Sequence, residues 1–420
     1  GSILTDWAKI SLIEASHFDK NTAYAAINKI RLDDQKPYIL KTSDGGKTWK
    51  LITNGLANDP INCIREDPKT RGLLFAGSER FIYVSTDDGG HWQSLRLNMP
   101  ATSIRDLIIK DDDLVIGTHG RSFWILDNIS PLRSFEQLAL SNENTNKSSS
   151  KLMAQSPQLF QPQTATRIRW NTWPDTPLPQ EEPAGENPPD GAIIDYFLKE
   201  DAKSEVTLEI LDKGGKRICK FSSNDKPYPI PAVNIPLYWI RPQQILSNKA
   251  GAHRFLWDLH YQALDVPPAY PISATFKNTA PDPTSPWVLP DAYVVKLSVN
   301  GETFTKNLTV KMDPRVTTSQ ENLKLQHDLS LMCYLHRKEL ANIKNSIKVF
   351  KEKLDAGTSK LSTQKADNLK MQFSQFEKNP AENGKSLNKL DAELATVYNI
   401  IHDTDMPPTS QAILSANELS

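Results

Sequence analysis

One eight-residue pattern occurs twice near the start of this 420-residue chain. Residues 42–49 and 85–92 both follow the form Ser/Thr-x-Asp-x-Gly-x-x-Trp, and their aspartates, Asp44 and Asp87, lie 43 residues apart. A motif that recurs at this period is typical of a β-propeller, in which each repeat forms one four-stranded blade. The repeat therefore constrains the architecture of the N-terminal region more than its chemistry.

The residue types of the motif favour a tight turn between two strands. An aspartate can accept hydrogen bonds from the backbone N–H groups of its own turn, glycine adopts positive φ at little cost, and tryptophan can cover the apolar side of a hairpin. We therefore interpret the motif residues as structural rather than catalytic. They are Thr42, Asp44, Gly46, Trp49, Ser85, Asp87, Gly89 and Trp92.

Short β-rich runs separated by turn signals predict three blades, over about residues 10–55, 60–97 and 103–127. A gap-free alignment gives the third blade an altered copy of the motif, which keeps the acid at Asp127 but has Ile125 in place of the hydroxyl residue. Propellers usually close with about four to eight blades. The N-terminal domain, residues 1–130, is therefore predicted to be part of a propeller, and the remaining blades of a longer parent chain are expected partners.

Three further segments are predicted after the blades. Residues 131–157 are polar and rich in Ser and Asn, which indicates a linker. Residues 158–316 contain about seven short strand candidates, which favours an immunoglobulin- or fibronectin-like β-sandwich with Pro-rich loops. Residues 317–420 change to a helical period and predict a small helical bundle. The expected fold class is mainly β with an α-helical C-terminus.

Composition excludes several classes of function. A formal net charge of -1 gives no indication of a nucleic-acid partner. No run of about 18 apolar residues is present, so no membrane span is expected. The three cysteines, Cys63, Cys219 and Cys333, lie in separate segments with no zinc spacing, so neither a disulfide framework nor a metal site is predicted. No cofactor is expected.

The repeats, followed by the segment Gly117–Asp127, resemble large bacterial proteins labelled BNR/Asp-box-repeat or sortilin-type "glycosyl hydrolase" proteins. Further segments that carry the resemblance are Ile64–Pro68, Leu74–Glu79, Trp173–Pro177, Trp257–Leu259 and Val310–Arg315. In that family these segments form the C-terminal part of a protein with a long propeller. The middle unit is also similar to the immunoglobulin-like domain of flagellar hook-capping proteins. The resemblance implies an exported protein (periplasmic, cell-surface or extracellular) that is associated with carbohydrate.

Alignment of the blades identifies four candidate ligand-facing residues. Asn28, Glu79 and His119 occupy equivalent positions at the end of each second strand, and Arg121 follows closely. Side chains at these junctions are expected to line the mouth of the propeller channel. The alternative is that they cap strand ends and bond loop backbone, as polar residues at such positions commonly do.

Three functions stay open at this point. The first is a non-catalytic binding or scaffolding region of a larger exported protein, with a glycan or protein ligand. The second is part of a sialidase- or xyloglucanase-like glycoside hydrolase whose cleft is completed by other blades. The third is a sortilin-like peptide or protein receptor. An inverting glycosidase needs two carboxylates about 6.5–9.5 Å apart, and no local signature pairs two carboxylates of the blades, so no catalytic residue is identified.

Overall fold

A computed structural model describes most of the chain. The described residues are 7–134, 157–169, 185, 187–270, 278–358, 364–365, 367–368, 371 and 386–419. The predicted segment Trp173–Pro177 and most of the predicted linker lie outside them. The fold is mainly β, with helices at the C-terminus, as the sequence predicts. The chain forms two compact units, the first of which comprises residues 1–163, 193–201 and 249–254.

Three antiparallel sheets begin the first unit, and in each sheet consecutive strands are neighbours. The first sheet comprises β1 (Lys9–Ala15), β2 (Ala23–Asn28), β3 (Tyr38–Thr42) and β4 (Lys50–Leu51). The second comprises β5 (Ile61–Glu66), β6 (Leu74–Ser78), β7 (Ile82–Ser85) and β8 (Gln93–Ser94). The third comprises β9 (Ser103–Lys110), β10 (Asp113–His119) and β11 (Phe123–Leu126). This succession of sheets is consistent with a partial propeller-like fold.

The three sheets are held together by two apolar cores. The first and second sheets share a core that includes Tyr24, Ile39, Ile64 and Trp92. The core between the second and third sheets includes the following buried residues: Cys63, Phe75, Ile82, Val84, Ile104, Leu107, Leu114 and Ile116. Because side chains alternate between the two faces of a strand, the second sheet buries both of its faces.

Both predicted turns hold their aspartates by local hydrogen bonds. Asp44 accepts from the Thr48 backbone N–H at 2.9 Å and from the Thr42 hydroxyl at 2.9 Å. Hydrogen bonds from the Thr48 hydroxyl and backbone and from Thr42 lower the pKa of Asp44 to about 2. Asp87 likewise accepts from the His91 N–H at 2.8 Å. The turns need positive φ at their glycines, and Gly89 has a φ of 86°.

The third repeat departs from its gap-free alignment. In the second sheet Gly77 pairs with Ile82, whereas the equivalent Gly117 pairs with Phe123. The turn of the third sheet is therefore one residue longer, and the positions after it are shifted by one. Asn128, not Asp127, occupies the place of the motif acid, and its side-chain amide donates to Asp195 at 2.9 Å.

A smaller three-stranded sheet lies largely in the first unit. It comprises β12 (Gln158–Leu159), β14 (Ala192–Leu198) and β17 (Gly251–Trp257) in the order β12-β14-β17, with β13 (Ala165–Arg167) between them in sequence. Asp195 on β14 accepts from Arg254 Nε at 2.8 Å, and the same guanidinium donates to the carbonyl of Asp127 at 2.8 Å. These bonds tie the small sheet to the end of the third repeat.

The segment after the third repeat begins with a short helical turn. Residues 130–134 are helical. Arg133 is buried and donates to Asp67 at 2.8 Å, and it also pairs with Asp112. One arginine therefore anchors the first residues of the linker that is predicted from residue 131 to two of the sheets.

The second unit combines one large sheet with the C-terminal helices. Its sheet has the order β13-β19-β18-β15-β16 and contains β15 (Thr207–Asp212), β16 (Arg217–Ser222), β18 (Ala292–Val299) and β19 (Glu302–Met312). The helices are α1 (Gln320–Thr358), α2 (Leu387–His402) and α3 (Ser410–Glu418). They share a core of Leu329, Cys333, Leu394, Tyr398 and Ala416. All three cysteines of the chain are buried and free.

The start of α1 corrects one detail of the sequence pattern. The spacing of Thr318 and Glu321 is typical of a capping box, but Ser319 accepts the hydrogen bond from the Asn322 backbone N–H, at 3.3 Å. The Thr318 hydroxyl instead donates to the backbone carbonyl of Asp405. A long-range contact therefore displaces the local cap.

The two motif tryptophans provide a matched test of the packing between sheets. Trp92 is 1% exposed and its Nε1 donates to the Ile52 carbonyl at 2.8 Å, whereas Trp49 is half-buried. We expect Trp92→Ala to lower the free energy of unfolding of the first unit by about 3–5 kcal/mol. Trp49→Ala is expected to cost less than half as much. Urea denaturation followed by circular dichroism measures both, and equal losses would contradict the assigned core.

Candidate functional site

The four candidate residues lie at corresponding ends of the sheets. Asn28 ends β2, Glu79 directly follows β6, and His119 ends β10. Arg121 lies in the turn between β10 and β11. The structure joins the first three into one polar network, but it does so through residues that sequence reasoning did not select.

Glu79 is the centre of this network. Its Oε2 accepts from the Ser103 hydroxyl at 2.6 Å, and its Oε1 accepts from Arg105 Nη1 at 3.3 Å and from Asn28 Nδ2 at 3.4 Å. The side chain is 17% exposed. One carboxylate thus receives bonds from the first and third sheets while its own backbone belongs to the second.

Asn62 supports the buried side of the network. Its Oδ1 accepts from Asn28 Nδ2 at 2.7 Å, and its Nδ2 donates to the Ile104 carbonyl at 3.0 Å. Asn28 and Asn62 are only 6% and 7% exposed. Because buried amides need partners, these bonds fix the orientation of both side chains and hold the three strand ends together.

Arg105 links Glu79 to His119. Its Nη1 lies on the carboxylate, and its Nη2 lies 3.3 Å from His119 Nδ1. A guanidinium can only donate hydrogen bonds, so His119 Nδ1 is the acceptor in this contact. About half of the Arg105 side chain is exposed, and His119 is also exposed to solvent. The network is therefore buried at Asn28 and open to solvent at His119.

The protonation of Glu79 follows from these contacts. Burial by itself raises the pKa of a carboxyl group. Hydrogen bonds from Ser103 and Asn62, the charge of Arg105 and the bond from Asn28 outweigh burial and hold the pKa of Glu79 below its usual value. Glu79 is therefore ionised at neutral pH and serves as an acceptor.

Arg121 stays outside the network. Its backbone N–H donates to the Thr118 hydroxyl at 3.1 Å, and its side chain is exposed. Within the described part of the chain, its guanidinium makes no hydrogen bond or ion pair. Of the four candidates, Arg121 alone presents an uncommitted charge to solvent at this edge.

Three network members were missed by the sequence alignment: Asn62, Ser103 and Arg105. Ser103 pairs directly with His119 across β9 and β10, and Arg105 lies two residues further along the same face. The pairing of the third hairpin could have indicated these two. Asn62 gave no such signal, because its role depends on the neighbouring sheets.

The other carboxylates of the blades are occupied by protein partners. Arg65 donates to Glu14 at 2.8 Å and to Asp106 at 3.0 Å. Glu66 is fully buried and accepts from the His17 N–H at 2.9 Å. Burial, with the nearby charge of Asp113, raises the pKa of Asp127. Glu14, Asp106 and Glu66 are therefore held by protein partners within the first unit.

A concave surface of the first unit lies beside the two motif turns. It is a cleft of about 860 Å³. Its lining is mostly polar and includes Lys41, Asp44, Lys50, Asn54, Asp87 and Asp88. Asp44 and Asp87 are bound within their own turns, and Asp88 pairs with Lys41 and accepts from the Tyr24 hydroxyl at 2.7 Å. The charged groups that line this cleft are therefore largely paired with other protein groups.

Neither a membrane span nor a metal cluster is found in the described ranges. None of the helices there has the length and apolar character needed to cross a membrane. No group of three His, Cys, Asp or Glu side chains there is arranged to hold a metal ion.

Comparison with known proteins identifies no family. No family model matches the sequence, and no curated protein does. Among solved structures, an ancestral GH74 enzyme is similar over 27% of this chain and 14% of its own, at 15% identity and a TM-score of 0.23. A GH74 enzyme of Niastella koreensis is similar over 28% of this chain and 21% of its own, at 17% identity and a TM-score of 0.24.

A third similar structure is the extracellular domain of a one component system of B. thetaiotaomicron. The match covers 70% of this chain and 30% of that one, at 9% identity and a TM-score of 0.19. The chain thus spans less than a third of each of the three proteins. Similarity at these scores carries no argument about function.

The ionisation of Glu79 predicts a pH dependence of stability. Because its pKa is lowered in the fold, its contribution is present above the pKa of the unfolded chain, about 4.3, and is lost as pH falls through the folded value. Wild type is expected to be more stable than Glu79→Gln at pH 7, with the difference shrinking below about pH 4. Urea denaturation across pH measures this, and a constant difference would contradict it.

Proposed function

We propose that this chain is a non-catalytic binding region of a larger, exported, carbohydrate-associated protein. The observation that carries the proposal is the network at the strand ends, which is hydrogen-bonded where it is buried and exposes Arg105 and His119 at its surface. Arg121 adds an uncommitted guanidinium beside them. Such an edge offers donors in fixed positions to the hydroxyl or carboxylate groups of a glycan.

The state of Glu79 does not fit the role of a general acid. A glycosidase needs one carboxyl group that stays protonated near neutral pH to act as general acid. The pKa of Glu79 is shifted the opposite way, and its oxygens accept from three side chains. Glu79 therefore positions Arg105 rather than donating a proton.

The outer face of the third sheet supports an incomplete propeller. Phe75, Ile82 and Val84 are the residues by which the second sheet packs against the third. By strand register, the positions equivalent to them in the third sheet are Val115, Phe123 and Ile125, and they face away from that core. Phe123 is 77% exposed and Ile125 is 56% exposed.

We therefore propose that a further blade covers this face in the parent protein. The third sheet repeats the apolar pattern by which the second sheet binds its neighbour, and a blade inside a ring is covered on both faces. This pattern also favours the second candidate function, a glycoside hydrolase whose catalytic carboxylates lie on other blades. No observation favours the sortilin-like receptor.

Exposed phenylalanines allow a direct test of that face. Phe123→Lys is expected to reduce the fluorescence of a bound apolar dye such as bis-ANS, because it breaks a contiguous apolar patch. Phe18→Lys is the matched control, since Phe18 is 41% exposed elsewhere in the unit. If the two variants reduce dye binding equally, the outer face is not a distinct apolar surface.

A glycan array probed with the intact chain tests the binding function. We expect retention on a subset of glycans without release of hydrolysis products. His119→Ala and Arg121→Ala should each weaken retention by about tenfold, the effect of losing one charged or strong hydrogen bond. Lys110→Ala is the control, because Lys110 is exposed at the opposite end of β9.

Two outcomes contradict the proposal. Hydrolysis products would show that the chain carries its own catalysis. Retention that is unchanged in both site variants would remove the strand-end network from consideration, whatever the glycan.

A further inference from the structure

A small cavity in the second unit is lined by residues of β13, of the loop before β18, and of the helices α1 and α2. Its volume is about 10 Å³, and Arg167, Trp287, Gln326, Ser330 and His402 are among the residues that line it. A cavity of about 10–15 Å³, measured by the centres of a water-sized probe, holds one water molecule. The size of the cavity therefore limits any occupant to a single small species.

Three of these lining residues carry buried nitrogens with unused hydrogen-bonding capacity. Arg167 Nε, Trp287 Nε1 and His402 Nε2 find no hydrogen-bond partner among the described residues. Arg167 is 2% exposed and His402 is 5% exposed. Buried polar atoms without partners are rare in folded proteins, and here three of them belong to residues that line one cavity.

The chemistry of the three nitrogens is mixed. Arg167 Nε and Trp287 Nε1 can only donate. Burial, together with nearby His260 and the two arginines Arg167 and Arg169, lowers the pKa of His402 to about 2. Its imidazole is therefore neutral at physiological pH, with one nitrogen that donates and one that accepts.

The neighbouring His260 adds an acceptor beside the cavity. Its Nδ1 lies 2.8 Å from the Asp258 carbonyl oxygen and therefore donates, which leaves a lone pair on Nε2. That Nε2 is also without a partner in the described residues. The His260 ring lies 4.0 Å from the Trp287 ring and 5.5 Å from the His402 ring, centroid to centroid.

This combination of groups discriminates between possible occupants. A cation is disfavoured because the lining includes the positively charged Arg167 and the donor Trp287. An anion is disfavoured because Asp405 already pairs with Arg167 and Arg169 and offsets their charge. Water accepts from two donors and donates to two acceptors at once, and internal waters typically make about three hydrogen bonds.

We propose that one internal water molecule occupies this cavity and joins Arg167 and Trp287 to His402 of α2. The water provides a hydrogen-bond partner for His402 in the last turn of α2. It also provides one for Arg167 and Trp287, which precede α1 in the sequence. It acts beside direct bonds at the same place, where Gln326 Nε2 donates to the Ile401 carbonyl at 2.9 Å. The site is independent of the strand-end network in the first unit.

A crystal structure of the intact chain, with and without a bromide soak, tests the proposal. One ordered oxygen is expected within about 2.7–3.2 Å of Arg167 Nε, Trp287 Nε1 and His402 Nε2. An anomalous bromide peak at that position would overturn the proposal in favour of an anion site. Direct protein bonds to the three nitrogens, with no density between them, would overturn it as well.

Solution measurements of long-lived water, by ¹⁷O relaxation dispersion, provide a second test. Trp287→Phe keeps the ring but removes the donor, and it should lower the number of long-lived waters by one. Tyr238→Phe is the control, because Tyr238 is 57% exposed. An unchanged count in a folded Trp287→Phe variant would contradict the proposal, and if the variant does not fold, the crystal structure of the unaltered chain decides.

Discussion

Face-to-face packing of three consecutive sheets is the constraint on which the first unit depends. The second sheet contributes Ile64 and Leu74 to one core and Phe75 and Val84 to the other, so it buries both faces. Close approach is part of this packing. A Cβ added to Gly77 would lie 2.5 Å from Ile104 Cγ2 in the next sheet. The sheets can approach in this way only because a glycine stands where they meet.

The polar network at the strand ends is a consequence of that packing. Asn28, Glu79 and His119 belong to three different sheets, and stacking places their strand ends side by side. Asn62 and Arg105 then fill the spaces between them. A change in the spacing of the sheets would separate donors from acceptors, so the geometry of the candidate site is set by the apolar cores beneath it.

Local rules accounted for much of the fold. Short β-rich runs predicted strands before residue 130 and a helical period predicted C-terminal helices, and the class of mainly β with C-terminal helices is confirmed. The errors arose where distant contacts overrode local preference. The predicted capping box did not form at Thr318, because its hydroxyl donates to the backbone carbonyl of Asp405. The domain boundaries and the roles of the site residues stay predictions.

The sequence by itself determined the turns and the strand alternation, because both depend on residues close together in the chain, and the equivalence of Asn28, Glu79 and His119, because the repeats align. Only the tertiary structure decided that Glu79 is an ionised acceptor and that Arg105 joins it to His119. The same holds for the buried nitrogens of Arg167 and His402. Their partners, or lack of partners, depend on distances between segments far apart in sequence, and no local pattern encodes those distances.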